Sequence, residues 1–135
     1  MSSREVAADF VERLKAIVDD DEIRLHLVKF FPDFPDLYDV EVTHDDWGMT
    51  LSLDQRGESL RLLLDDYVIE ELSPPEVLEF IAALVAGRAL VRVSKRRIFG
   101  RFVNLDVDLS SSRRFSTQRR WGSGLAGWEQ RLLEA

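Results

Sequence analysis

The chain has 135 residues, 45% of them apolar and 32% charged, and carries a formal net charge of −7. That length fits one domain, which buries roughly two-thirds of its unfolded surface and so forms a core without disulfides or metal. Cysteine is absent, which excludes a disulfide scaffold, a thiolate zinc site and a cysteine nucleophile, and suits a reducing compartment.

Residues Met1 to Phe10 are polar and lack the apolar run of a targeting segment. Ser2 or Ser3 can cap a first helix, and Val6, Phe10, Leu14, Ile17 and Val18 recur at helical spacing, so a helix is expected over Ser3–Val18. Asp19-Asp20-Asp21-Glu22 interrupts it. Residues Ile23 to Phe31 fit either period; a short helix is preferred, because Asp20 can cap it and Pro32 stops it. Pro32 and Pro35 make Phe31–Asp36 a turn or extended link. A meander follows. Tyr38, Val40 and Val42 alternate, then Trp47, Met49, Leu51 and Leu53, and Leu60–Leu64 gives a third strand. The links His44-Asp45-Asp46 and Gln55-Arg56-Gly57 have turn chemistry, and such short links imply antiparallel pairing. Tyr67–Ile69 extends the third strand or starts another.

Ser73-Pro74-Pro75-Glu76 is a capping box with proline at the first helical position, and Gly87 is a natural stop, so a buried helix is expected over Pro74–Ala86. Ala89–Ile98 and Arg101–Leu109 read as a second hairpin turning near Phe99-Gly100. Ser110–Gly124 reads as an Arg-rich loop, and Leu125–Glu134 as a terminal helix with Leu125, Trp128 and Leu132 on one face. The plan is a single α+β domain over 1–135: body 1–109, loop 110–124, C-terminal helix 125–135. An antiparallel sheet of about five strands carries helices on one side, in the order α-(α)-β-β-β-α-β-β-α. The longest apolar run without a charge, Phe80–Gly87, is too short to span a membrane, and a cytoplasmic protein is expected.

Charge is segregated. Residues 1–90 hold 21 Asp+Glu against 8 Lys+Arg, whereas residues 91–135 hold 4 against 10. Either the basic third neutralises the acidic body, or two faces of opposite sign address different partners. Catalytic patterns are weak. His44-Asp45-Asp46 could offer metal ligands, but adjacent strand residues point to opposite faces. Two lone histidines, His26 and His44, do not make a metal cluster. Asp65-Asp66 and Glu70-Glu71 could be paired carboxylates for acid–base work, which needs a shared cleft. Gly122-Ser123-Gly124 lacks the strand-to-helix setting of a nucleophile elbow. No phosphate-binding glycine loop and no cofactor motif is present.

Arg92, Lys95, Arg96, Arg97 and Arg101 surround the second hairpin. Arg113, Arg114, Arg119 and Arg120 follow, with Phe115 and Trp121 between them. Cations interleaved with aromatics suit single-stranded nucleic acid; they also suit a strand edge that resists unwanted pairing. Arginine and tryptophan equally mark protein interfaces.

The element order, with the generic helix start Ser73-Pro74-Pro75-Glu76 and the acidic body, resembles two bacterial groups: immunity proteins of polymorphic toxin systems, and the dimeric class I chaperones of type III secretion. The basic tail departs from a uniformly acidic chaperone. The resemblance implies a non-catalytic protein that occludes a basic toxin domain stoichiometrically. Its acidic face would be Asp45, Asp46, Asp65, Asp66, Glu70 and Glu71, its anchors Trp121 and Trp47 (the latter alternatively plain core), and its basic contacts Arg113, Arg114, Arg119 and Arg120. The alternatives are a homodimeric chaperone for a secreted effector, a nucleic-acid binder using the basic third, and a small enzyme with a carboxylate site. No membrane partner is expected.

Overall fold

The computed structural model describes residues 3–28, 37–53, 60–96, 98, 100–109 and 113–133. The α+β class expected from the pattern holds: among the described residues, three α-helices accompany an antiparallel five-stranded sheet and a second, three-stranded one. The chain divides into two compact units, residues 1–78 and 79–135. The first holds 20 Asp+Glu and 7 Lys+Arg and the second 5 and 11, so the division follows the charge boundary.

In the first unit, α1 runs Ser3–Leu14 and packs against β1 and β2. Phe10, Leu14 and Val18 recur at four-residue spacing and are buried, while Asp9–Arg13 and Glu12–Lys15 pair on the exposed side. The helix ends before the expected Val18. Its last turn tightens, with Ala16 and Ile17 donating to Arg13 and Leu14, three residues back. The four acids then form a 3₁₀ turn, Asp20–Glu22, preceded by Asp19.

The short helix expected over Ile23–Phe31 is a strand, β1, Ile23–Val28. It pairs antiparallel with β2, Leu37–His44, from Ile23 opposite Val42 to Val28 opposite Leu37. The alternation at Ile23, Leu25 and Leu27 is the period that wins, because the neighbouring strand satisfies the backbone groups along its length. Residues 29–36 and the expected turn at Gln55–Gly57 lie outside the described residues. The meander continues as β3 (Trp47–Leu53), β4 (Leu60–Leu64) and β5 (Tyr67–Ile69). Each strand pairs with its sequence neighbour. Val42, Met49, Leu64 and Tyr67 stand in one register row and Val40, Leu51, Leu62 and Ile69 in the next, all buried on the inner face.

The division between units falls within α2, Pro74–Val85. Ser73 and Glu76 form the expected capping box: Ser73 N–H donates to Glu76 Oε1 (3.2 Å) and Glu76 N–H to Ser73 Oγ (3.4 Å). At the other end Gly87 adopts φ +74, and Arg88 N–H and Gly87 N–H donate to Ala83 and Leu84 carbonyls, a Schellman closure. The second unit contains β6 (Ala89–Arg96), β7 (Gly100–Asp108) and β8 (Arg114–Arg120). The expected loop over 110–124 is thus corrected: most of it is a strand paired to β7, with Phe115 opposite Val107 and Arg119 opposite Val103. The third helix, α3, is Gly127–Arg131, shorter than expected. Ala89, Val91, Val103, Leu105, Val107 and Phe115 bury one face of this sheet, and Phe80 of α2 meets Phe115 edge-on at 6.0 Å. Beyond α3, Val91 N–H donates to Leu132 O (2.8 Å), and Leu133 bridges Val91 in parallel. No helix among the described residues is long and apolar enough to cross a membrane.

Candidate functional site

Antiparallel register gathers three acidic turns at one end of the five-stranded sheet. The 3₁₀ turn leads into Ile23 opposite Val42, two residues from His44; the β2–β3 turn is Asp45-Asp46; and the β4–β5 turn is Asp65-Asp66. The two hairpin turns repeat one device. Each is Asp-Asp followed by a buried aromatic, Trp47 or Tyr67, and each first Asp is left-handed (Asp45 φ +50, Asp65 φ +47). Asp tolerates that conformation better than most residues, since its short side chain bonds locally. The turns are tied side by side: Gly48 N–H donates to Asp65 Oδ1 (3.2 Å), and Asp65 N–H to Gly48 O (3.1 Å).

His44 braces the third turn. Its Nδ1–H donates to Glu22 Oε2 (2.7 Å), and its ring lies 5.7 Å from that of Trp47. Glu22 Oε1 accepts from Asp19 N–H (3.1 Å), so both carboxylate oxygens hold structure. Carboxylate oxygens of Asp19, Asp21 and Glu22 lie within 4.8 Å of one another, a spacing a divalent cation could bridge. Glu22 is already occupied on both oxygens, and three carboxylates fall short of the six to eight oxygens that calcium takes. The result is an exposed acidic rim of Asp19, Asp20, Asp21, Asp45, Asp46, Asp65 and Asp66 at one end of the sheet.

Other residues singled out in the sequence fall elsewhere. Glu70 and Glu71 follow β5, at the end away from Asp65-Asp66. Glu70 faces Arg61 (3.4 Å), and Glu71 Oε2 accepts from Glu70 N–H, so the two carboxylate pairs do not converge. Trp47 is core rather than a surface anchor, because its strand parity puts it with Met49 and Leu51 on the inner face. His26 lies in β1, and its side chain is outside the described residues. Ser123 is exposed in a turn between Gly122 (φ +57) and Gly124 (φ +108).

The basic residues sort into groups that the sequence did not separate. Strand parity sends Arg114 and Arg120 to one face of β8 and Arg119 to the other. Arg119 is buried, which removes it from the surface the sequence assigned it to. Its Nε–H donates to Glu129 Oε2 (3.0 Å), a second N–H reaches Glu129 Oε1, and the remaining donors meet the carbonyls of Arg120, Trp121 and Gly124. Glu129 is 1% exposed and also caps α3, accepting from Ala126 N–H (2.9 Å). Arg92 and Ser116 hold the buried Asp106 (2.8 and 2.6 Å), and Arg114 pairs with Asp108 (3.1 Å). Arg113 and Arg120 are exposed, and Trp121 is half-buried with the Arg101 guanidinium 5.5 Å from its ring centre. Arg92, Arg114 and Arg119 are thus paired with acids of their own unit.

Comparison with family models, with curated proteins and with solved structures finds no match.

Proposed function

We propose that this chain is a non-catalytic binding protein that occludes a basic surface of another protein stoichiometrically, as toxin-immunity proteins do, in the cytoplasm. The observation that carries this reading is the convergence of three acidic turns on one end of the sheet. A single-sign rim of that kind steers a positively charged partner into encounter, and a preformed backbone keeps the ordering cost of docking low. The rim comprises Asp45, Asp46, Asp65 and Asp66 from the original assignment, joined by Asp19, Asp20 and Asp21. Glu70, Glu71 and Trp47 drop out of it. A phosphate-tracking role for the β8 arginines is less well supported, because Arg114 and Arg119 already face carboxylates.

The test is capture from the native host with mass spectrometry, followed by association kinetics on the recovered partner. A protein partner is expected whose on-rate falls steeply with salt. The variant D45N/D46N/D65N/D66N should slow association by about tenfold or more while leaving the melting temperature unchanged or higher. Recovery of nucleic acid or a metabolite alone, or an on-rate indifferent to salt and to the four substitutions, would overturn the proposal.

A further inference from the structure

Among the described residues the three-stranded sheet ends at β8, which pairs with β7 alone. Trp121 N–H donates to Arg101 O (3.0 Å) and Leu109 N–H to Arg113 O (2.8 Å), so the odd-numbered residues of β8 turn their backbone groups toward β7. Those of Arg114, Ser116, Gln118 and Arg120 point off the sheet. Arg119 takes up the Arg120 carbonyl (2.8 Å) and closes that end of the edge. The backbone N–H and C=O of Ser116 and Gln118 meet no partner among the described residues, and both residues are exposed. Edge strands are commonly blunted by proline or a bulge. β8 has no proline, and its seven rungs with β7 run without a bulge. What guards it is charge. Arg120 is exposed and has no carboxylate partner among the described residues. The contact of Arg114 with Asp108 is exposed on both sides (59% and 67%), so it holds Arg114 only weakly.

We propose that β8 accepts an extended acidic segment of another protein as a fourth strand, with carboxylates opposite Arg114 and Arg120. The edge offers N–H and C=O in alternation, and the chemistry that matches both is another peptide backbone. Arg114 and Arg120 are six residues apart on one face, roughly 20 Å, so the segment carries acids at i and i+6. The unit that holds β8 has 11 Lys+Arg against 5 Asp+Glu, a balance that favours an acidic occupant. A second copy of the chain fits less well. The two-fold register that pairs all of β8 sets Arg114 of each copy against Arg120 of the other, and like charges directly opposite repel. Nucleic acid also fits less well. A phosphate chain accepts hydrogen bonds and donates none, which leaves the carbonyls of Ser116 and Gln118 unmatched.

The experiment titrates the full chain into a labelled decapeptide of alternating threonine and glutamate, read by fluorescence anisotropy and by amide hydrogen exchange of the chain. Binding is expected, with slowed exchange at Ser116 and Gln118. N-methylation of the peptide's glutamates removes its edge-facing donors without touching the protein, and should weaken binding about tenfold or more. A threonine–lysine decapeptide should not bind. Arg120→Gln should weaken binding about fivefold. Gln118→Pro, tolerated where an N–H leaves the sheet, should do so about fivefold or more. An unchanged melting temperature verifies the fold of both variants. No binding of the threonine–glutamate peptide, equal binding of its N-methylated form, or protection confined to residues outside β8 overturns the proposal. So does a chain that sediments as a dimer with Ser116 and Gln118 already protected, or one that takes a thymidine oligonucleotide in place of the peptide.

Discussion

Arg119 shows how far a residue's role can lie from its appearance in sequence. It sits in a run of arginines that looks like a surface, yet five donors converge on Glu129 and three carbonyls inside the second unit. Removing one member of a buried pair leaves the other desolvated and unmatched. Arg119→Met is therefore expected to lower unfolding free energy by about 3–5 kcal/mol in urea titration, and the double variant R119M/E129L to recover much of that loss. No local pattern foretold the pair, because its partners are ten residues apart and meet only through the turn at Gly122–Gly124. The Asp-Asp-aromatic turns were the opposite case: backbone geometry favours Asp there, and the sequence states it twice, at Asp45-Asp46-Trp47 and Asp65-Asp66-Tyr67.

Helix α2 carries its boundaries in its own residues, and both ends formed as expected. Ser73→Ala should cost about 1 kcal/mol through the lost cap. Gly87→Ala should cost about 1–2 kcal/mol through the left-handed backbone, since an added Cβ has open space around it and only the φ of +74 resists. Chemical denaturation of both variants checks these values. Elements whose identity depends on a neighbour were harder to read. Strand β1 was ambiguous until β2 lay beside it. Strand β8 hid because its inward positions, Phe115, Thr117 and Arg119, include a cation that is buried only by virtue of Glu129.

At the scale of the whole molecule, charge and compactness divide the chain at the same place: 20 acids and 7 bases before residue 79, 5 and 11 from there on. The gathering of acids on one sheet end concentrates like charge that dissolved salt screens. The melting temperature is therefore expected to rise as sodium chloride is added from low concentration; a fall would mean that attractions between the charges outweigh their repulsion. The fold class and the charge boundary were legible because composition and periodicity act over many residues at once. The convergence of the three acidic turns was not, since it depends on register, which no single strand specifies.

The segment after Trp121 works as a clasp. Its Glu129 locks Arg119 on β8, while Leu132 and Leu133 lie along β6 at the opposite margin of the same three-stranded sheet. A protease cutting at the exposed Gly122-Ser123 turn would leave that grip to noncovalent contacts alone. Its loss would bare a strand edge and strand a buried guanidinium together. Turbidity is thus expected to follow limited proteolysis at this turn, as bared strand edges pair between molecules.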